Sequence, residues 1–139
     1  MAARLLTRAP RTVAELTQRL VAMGYRTTTA EVTVARCVEL GWVDDSALAE
    51  DRARQLRRRG AGPLRIGSDL EGRGLSERVV QEAIDASRDG RSEAEWARQV
   101  LCGQGEPVAL RDRARAWRLL AGRGFPEEVV ADVLGDHGE

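Results

Sequence analysis

The stretch LAGRGF at residues 120–125 closely resembles LEGRGL at 70–75, and both share their pattern with LVAMGY at 20–25. In each copy a leucine is followed by three residues, a glycine and a large apolar residue, and the copies start fifty positions apart. Repetition at a fixed interval of roughly 20 to 50 residues is typical of a chain built from tandem copies of one structural unit. The sequence therefore predicts three such units.

The apolar pattern around these copies indicates helices. Apolar residues recur every three or four positions, and no stretch alternates with a period of two, which favours amphipathic helices over strands. Two downstream registers keep the fifty-residue interval: Ala30, Val80 and Val130, and Val34, Ile84 and Leu134. The sequence thus predicts an all-α protein of three tandem three-helix repeats, an elongated helical array of the right-handed type. The repeats are predicted at residues 1–43, 44–90 and 91–139 of a single domain.

Short local signals mark where the nine predicted helices start and stop. Capping boxes, which pair a hydroxyl with a glutamate three residues later, are predicted for Thr12 with Glu15, Thr28 with Glu31 and Ser92 with Glu95. Prolines predicted in first helical positions are Pro63, Pro107 and Pro126. Glycines predicted to end helices in the left-handed conformation are Gly24, Gly41, Gly60, Gly74 and Gly124. The predicted helices span 2–8, 12–23, 29–40, 45–59, 63–72, 76–87, 92–103, 108–122 and 126–135.

Packing expectations follow from the same repeat. The leucine before each glycine turn, at positions 20, 70 and 120, is expected to point inward. The residue after each glycine, which is Tyr25, Leu75 or Phe125, is expected to cover the turn. A unit of about 45 residues is near the lower size limit for independent folding, so neighbouring units are expected to share apolar faces. Trp42, Trp96 and Trp117 are predicted to supply that packing.

The composition bounds the possible functions. All 22 basic residues are arginine and 22 acidic residues balance them, so the net charge of zero points to no particular partner. No apolar run approaches the roughly 18 residues of a membrane span, and the start does not resemble a secretory signal, which predicts a soluble, cytoplasmic protein. Cys37 and Cys102 lack metal or disulfide spacing and are expected to be buried thiols.

The remaining polar motifs indicate helix capping rather than catalysis. Asp44 and Asp45 could hold a metal or act as acid and base, but no histidine or further acid completes a site, and an aspartate before a helix is typical of an N-cap. The glycine-rich residues 59–67 lack the strand and the Gly-Lys-Ser/Thr ending of a phosphate loop. His137 is the only histidine. We therefore expect no catalytic residue, no metal, no cofactor and no enzymatic activity.

Arginine is concentrated in two stretches. Residues 52–65 carry six arginines and no acid, and residues 111–123 carry five arginines and one aspartate. In the second stretch the arginines at i, i+4 and i+7 share one helix face, beside an expected apolar face of Leu110, Ala114, Trp117 and Ala121. A planar guanidinium can hold a phosphate or carboxylate with two hydrogen bonds, so a binding surface is predicted, the alternative being a solvated helix surface. The candidate binding residues are Arg54, Arg57, Arg58, Arg65, Arg111, Arg115 and Arg118.

Three stretches carry a family resemblance: GWVDDSALAEDRARQ at 41–55, RRGAGPLRIGSDLEGRGLS at 58–76 and RAWRLLAGRGF at 115–125. The most specific parts are Gly, apolar, Asp-Asp in the first and Gly-x-Gly-Pro-x-x-Ile before Leu-x-x-x-Gly in the second. Together they resemble the RecX family, bacterial regulators of the RecA recombinase, over essentially the whole chain. The chain begins almost directly in its first helix, so contacts that a longer amino-terminal segment makes in relatives are not carried over.

The resemblance implies a function in recombination and DNA repair. A RecX-like protein would lie in the groove of the RecA filament on single-stranded DNA and would reduce ATP hydrolysis, strand exchange and filament growth. Its partners would be RecA and this DNA, without a membrane, and it would be a monomer. One alternative is a RecA-independent, sequence-nonspecific DNA-binding protein, since three-helix units resemble helix-turn-helix modules. Another is a helical adaptor for a different protein.

Overall fold

The computed structural model describes residues 1–103 and 112–135 of the chain. Within these ranges it contains nine α-helices and no strand, which confirms the predicted all-α fold. The helices are α1 (Ala2–Arg8), α2 (Val13–Ala22), α3 (Thr27–Glu39), α4 (Asp45–Arg58), α5 (Pro63–Gly72), α6 (Glu77–Ser87), α7 (Glu93–Cys102), α8 (Arg113–Arg123) and α9 (Glu127–Leu134). The predicted start of the eighth helix at residue 108, and Pro107 with it, lies outside the described residues.

Helix packing divides the described chain into three consecutive groups of three. The extensive contacts between its helices all lie within α1–α3, α4–α6 or α7–α9, which we call unit 1, unit 2 and unit 3. In unit 2 the long helix α4 packs along α6, whereas the seven-residue α1 makes smaller contacts with α2 and α3. The repeat boundaries near residues 43 and 90 remain a proposal, which this packing supports.

Each unit turns sharply between its second and third helices at the repeated glycine. Gly24, Gly74 and Gly124 adopt φ values of +103°, +79° and +97°, a region that suits glycine because it has no Cβ. In unit 3 the amide of Phe125 donates to the carbonyl of Leu120 at 3.2 Å, and unit 1 has the equivalent bond, a pattern typical of Schellman helix ends. The leucine before each turn is buried, so the repeated sequence encodes this turn.

The remaining local signals give a mixed result. The capping boxes at Thr12 and Ser92 are confirmed, as are Pro63 in the first position of α5 and positive φ at Gly41 and Gly60. The capping box at Thr28 is wrong: α3 already begins at Thr27, so Thr28 lies in its first turn, and the N-cap residue Arg26 makes no side-chain cap. Pro126 is the N-cap of α9 rather than its first residue.

The buried apolar residues of the described chain form two clusters. One lies within unit 1 and includes Leu16 and Val34. The other is continuous across units 2 and 3 and includes Ile66, Trp96 and Leu120, with Trp117 partly buried against it. Both predicted apolar registers are buried in all three units. Apolar faces are therefore shared at the junction of units 2 and 3, whereas units 1 and 2 keep separate clusters.

Three packing predictions are wrong, two of them because a neighbouring residue occupies the inner position. Trp42 is 53% exposed, since Val43 beside it fills the core of unit 1. Tyr25 is 43% exposed, although its equivalents in units 2 and 3 are buried. Cys102 is exposed at the end of α7, because Leu101 takes the buried place, whereas Cys37 is buried as predicted.

Candidate partner-binding surface

The junction of units 2 and 3 positions the first arginine stretch. The amides of Gly62 and Leu64, at the start of α5, donate to the carbonyls of Arg123 and Gly124 at 2.6 and 2.8 Å. A Cβ on Gly62 would lie 2.7 Å from the Gly124 oxygen, so this close backbone approach requires glycine. The glycine-rich stretch thus docks a neighbouring turn, and two amides that a phosphate loop would offer to an anion are already used.

Arg57 is held inside this junction. Its guanidinium lies 4.8 Å from the centroid of the Trp96 ring, donates to the Ser87 carbonyl and to Gln99 Oε1, and pairs with Asp89 at 3.6 Å. Its side chain is 14% exposed, and burial lowers its pKa despite the charge of Asp89. Arg57 therefore joins α4 to α6 and α7, and these contacts favour a supporting role within the candidate surface.

Arg58 and Arg59 lie at the end of α4 beside a shallow cleft. The cleft has a volume of about 170 Å³ and is bounded by residues 57–60 on one side and by Trp96, Gln99, Val100 and Gly103 on the other. Both arginines are exposed, in contrast to Arg57 one position earlier. The cleft therefore presents two solvent-facing guanidinium groups at the edge of the core shared by units 2 and 3.

The first arginine stretch divides into paired and free side chains. Arg52 makes a two-bond contact with Asp69 at 3.0 and 3.1 Å, and Arg54 pairs with Glu50 at 3.5 Å. Arg58 and Arg65 are exposed, and no acidic side chain in the described part of the chain pairs with either. Of the predicted residues in this stretch, Arg58 and Arg65 therefore have guanidinium groups available to a partner.

The second stretch contributes two further free arginines. Arg115 and Arg118 are exposed on α8, and within residues 1–103 and 112–135 neither pairs with an acid. Arg111 lies outside the described residues. The apolar face predicted beside them is wrong for its alanines: Ala114 and Ala121 are exposed, and the buried face of α8 consists of Ala116 and Leu120. Leu110 also lies outside the described residues.

The junction of units 1 and 2 is polar. Arg73 donates to Glu15 through two hydrogen bonds of 2.8 and 2.9 Å, and the Thr12 hydroxyl donates to the Arg73 carbonyl at 2.8 Å. Burial opposes ionisation of Glu15, but the hydrogen bonds from Arg73 and Thr12 outweigh it and hold the pKa of this carboxyl below its usual value. Sequence reasoning missed this pair, although Arg73 and Arg123 occupy equivalent positions fifty residues apart, which could have indicated it.

The two adjacent aspartates take different capping roles at this junction. Asp44 caps α4, as predicted, by accepting a hydrogen bond from the Ala47 amide at 3.1 Å. Asp45 instead accepts from the Val13 amide at 2.9 Å and so caps the start of α2 in the other unit. In the part of the chain described, no group of three or more His, Cys, Asp or Glu side chains is arranged to hold a metal ion. Nor does that part contain a helix of the length and hydropathy needed to span a membrane.

Comparisons with known proteins show the family to which the chain belongs. Residues 1–37 match the family description "RecX, first three-helix domain", and residues 44–84 match "RecX, second three-helix domain". The regulatory protein RecX of Stenotrophomonas maltophilia strain K279a is 34% identical over 91% of this chain and 78% of its own. The regulatory protein RecX of Halorhodospira halophila is 33% identical over 93% and 81%. The chain belongs to the RecX family.

A solved structure agrees with this assignment to RecX. The crystal structure of RecX from Lactobacillus salivarius superposes with a TM-score of 0.79 over 96% of this chain and 89% of that one. The two sequences are 17% identical, so this likeness concerns the fold. The resemblance recognised in the sequence is confirmed, and the chain is a member of a family of regulatory proteins.

Proposed function

We propose that this RecX family member binds the RecA filament on single-stranded DNA in the bacterial cytoplasm and reduces RecA ATP hydrolysis, strand exchange and filament growth. The observation that carries the proposal is the set of free arginines, Arg58 and Arg65 in unit 2 and Arg115 and Arg118 in unit 3. Arg52, Arg54 and Arg57 of unit 2 are paired with acids of the same chain. No acid of the described chain pairs with Arg58, Arg65, Arg115 or Arg118, so these four are available to an external anion.

The chemistry of these side chains suits a nucleoprotein filament. A free guanidinium binds carboxylates and phosphates with two parallel hydrogen bonds, and the filament offers both groups. Exposed charges contribute little to the stability of their own protein but accelerate and orient association with a charged partner. Arg54 and Arg57, which already have partners within the chain, would hold the surface in place rather than bind the filament. We propose that the protein acts as a monomer without a cofactor.

The second candidate function is RecA-independent, sequence-nonspecific binding of DNA. The same four free arginines favour it, because phosphate contacts need no base recognition. The two functions differ in whether inhibition of the ATPase requires binding to RecA itself. A regulator of RecA inhibits the ATPase at concentrations at which it does not cover bare single-stranded DNA, whereas a nonspecific DNA-binding protein inhibits only by coating the DNA.

The test is a titration of RecA ATPase activity on single-stranded DNA with charge-reversal variants. We expect Arg58→Glu with Arg65→Glu, and Arg115→Glu with Arg118→Glu, each to raise the concentration for half-inhibition by about tenfold or more. The control is Arg4→Glu with Arg19→Glu, which reverses two exposed arginines of unit 1. Circular dichroism checks that all three variants remain helical.

Binding to bare single-stranded DNA over a salt series identifies the anion. Each lost phosphate contact should flatten the slope of log affinity against log salt by about 0.7 of a unit, whereas carboxylate contacts to RecA leave this slope unchanged. Full inhibition by both folded double variants would refute the arginine surface. Inhibition by the wild type only where it saturates the DNA would instead support the second candidate.

A further inference from the structure

Unit 1 differs from unit 2 at equivalent positions in and after the third helix. The residues Val32, Ala35 and Val38 of α3 stand where unit 2 has Glu82, Asp85 and Arg88. All three α3 residues are exposed, and Val32 is 71% exposed. Arg88, the residue that follows α6, pairs with Asp85 at 3.2 Å and with Glu93 at 2.9 Å. The repeat therefore tolerates charges at these positions, and unit 1 presents apolar surface there instead.

Exposed apolar side chains are concentrated in this unit. Among the described residues, nine of the ten large apolar residues that are exposed lie within the first 42 positions. They are Met1, Val13, Val21, Met23, Tyr25, Val32, Val38, Leu40 and Trp42. Single exposed apolar residues are normal on protein surfaces, but a concentration in one region marks an interaction site. Unit 1 is therefore a second candidate contact region, separate from the free arginines.

A groove between α2 and α3 contains two of these exposed residues, Val13 and Val38. It has a volume of about 380 Å³ and is lined by residues 13, 14, 17 and 18 of α2 and by residues 31, 34, 35 and 38 of α3. Its walls include Val13, Val34 and Val38. The α3 side runs over eight residues, from 31 to 38, or about 10 Å at the helical rise, which is the length of two turns of a partner helix.

The charged residues at the groove indicate which kind of partner fits it. Glu31 lines the groove, and Asp45, outside the lining, accepts a hydrogen bond from the amide of the lining residue Val13 at 2.9 Å. No arginine belongs to the lining of this groove in the described structure. Phosphates would be repelled by these acids and would find no cation, so the complementary occupant is a protein segment with apolar side chains and basic flanks.

We propose that the α2–α3 groove of unit 1 binds an amphipathic helix of a protein partner, with apolar residues at i, i+3 or i+4, and i+7 and basic residues at its ends. This inference rests on the proposed function, in which that partner is a RecA protomer of the filament. The free arginines then provide the salt-sensitive part of the interface, and unit 1 provides a part that persists at high salt because apolar burial is not screened.

The test replaces two residues of α3 in unit 1 with the residues that unit 2 has at the equivalent positions. The variant Ala35→Asp with Val38→Arg changes two residues that line the groove, keeps the net charge and uses the residues that unit 2 has at the equivalent positions, Asp85 and Arg88. We expect it to weaken binding to RecA–DNA filaments about tenfold at both low and high salt, without changing affinity for bare single-stranded DNA. The control is Arg78→Glu with Glu82→Arg, which exchanges two exposed charges of α6, keeps the net charge and should leave filament binding unchanged.

Each other result has a defined meaning. Wild-type affinity of the double variant for filaments overturns the groove proposal and leaves the arginine surface standing, whereas no filament binding by the wild type overturns both proposals. Wild-type protein that sediments as a dimer, with the variant a monomer, would assign the groove to a second copy. A melting temperature several degrees lower in the variant would show that the chain itself covers the groove. Either of the last two results overturns the inference.

Discussion

The two junctions between units join equivalent positions of the repeat through different chemistry. In both, the carbonyl of the arginine in the glycine turn, Arg73 or Arg123, accepts a hydrogen bond from the start of the preceding unit's second helix. The donors, the Thr12 hydroxyl and the Gly62 amide, lie at equivalent positions fifty residues apart. Side chains at the first junction are polar and partly exposed, whereas the second junction is backed by the continuous core of units 2 and 3.

This comparison separates what sets the spacing of the units from what holds them together. The contact between the turn and the start of the helix fixes the spacing, since the arginine carbonyl accepts a hydrogen bond from the equivalent position at both junctions. The strength of each junction depends on side chains, because apolar burial contributes more than a partly exposed ion pair. In a repeat protein, interfaces between neighbours determine which units unfold together. We therefore expect units 2 and 3 to unfold as one cooperative block, with unit 1 more weakly coupled to it.

The largest expected effect comes from removing the aromatic centre of the second junction. Trp96 is 1% exposed and its ring meets that of Phe125 edge to face, with centroids 5.9 Å apart. Trp96→Ala should lower the free energy of unfolding by about 3 to 5 kcal/mol, because it leaves a cavity and removes the surface on which Arg57 rests. Urea unfolding followed by circular dichroism measures this. Trp42→Ala, at an exposed position, should change stability by less than about 0.5 kcal/mol.

An intermediate effect is expected at the glycine turns, where the same substitution meets different surroundings. A Cβ on Gly124 would lie 2.5 Å from the Arg65 amide nitrogen of unit 2, whereas a Cβ on Gly24 would have no neighbour within 4 Å. Gly24→Ala should therefore cost about 1 kcal/mol from backbone strain alone, and Gly124→Ala about 2 to 4 kcal/mol. Thermal and urea unfolding of both variants gives the difference. Equal losses would show that the docked turn does not hold units 2 and 3 together.

The smallest effect concerns the ion pair of the first junction. Glu15→Gln should lower the free energy of unfolding by about 1 kcal/mol at neutral pH, since both side chains of the pair remain about 30% exposed. Because folding lowers the pKa of Glu15 below its ordinary value of 4.5, its contribution is present above that pH and is lost as pH falls further. The wild type and the variant should therefore converge in stability in acid, which urea unfolding across pH measures. A constant difference down to acid pH would contradict this.

Much of the fold could be predicted because its signals are local. The turns are indicated in the sequence by Gly24, Gly74 and Gly124. The buried positions of each unit follow from the helical spacing of its apolar residues. Prediction was wrong where one neighbour takes the place of another, as with Val43 beside Trp42, because spacing does not determine which of two adjacent apolar residues is buried. At the candidate surface, local charge selected the arginines, but it could not separate Arg57, which is held by its own chain, from the exposed Arg58.

The sequence by itself determined the helices, the fifty-residue repeat, the glycine turns and the family to which the chain belongs, because each depends on residues close together in the chain or on a pattern repeated along it. Tertiary structure alone decided which arginines are free. The partners that bind Arg52, Arg57 and Arg73 lie 17 to 58 residues away, and their side chains meet only after the units pack. It also decided that one junction is apolar and the other ionic, since this follows from which side chains the packed turns bring face to face.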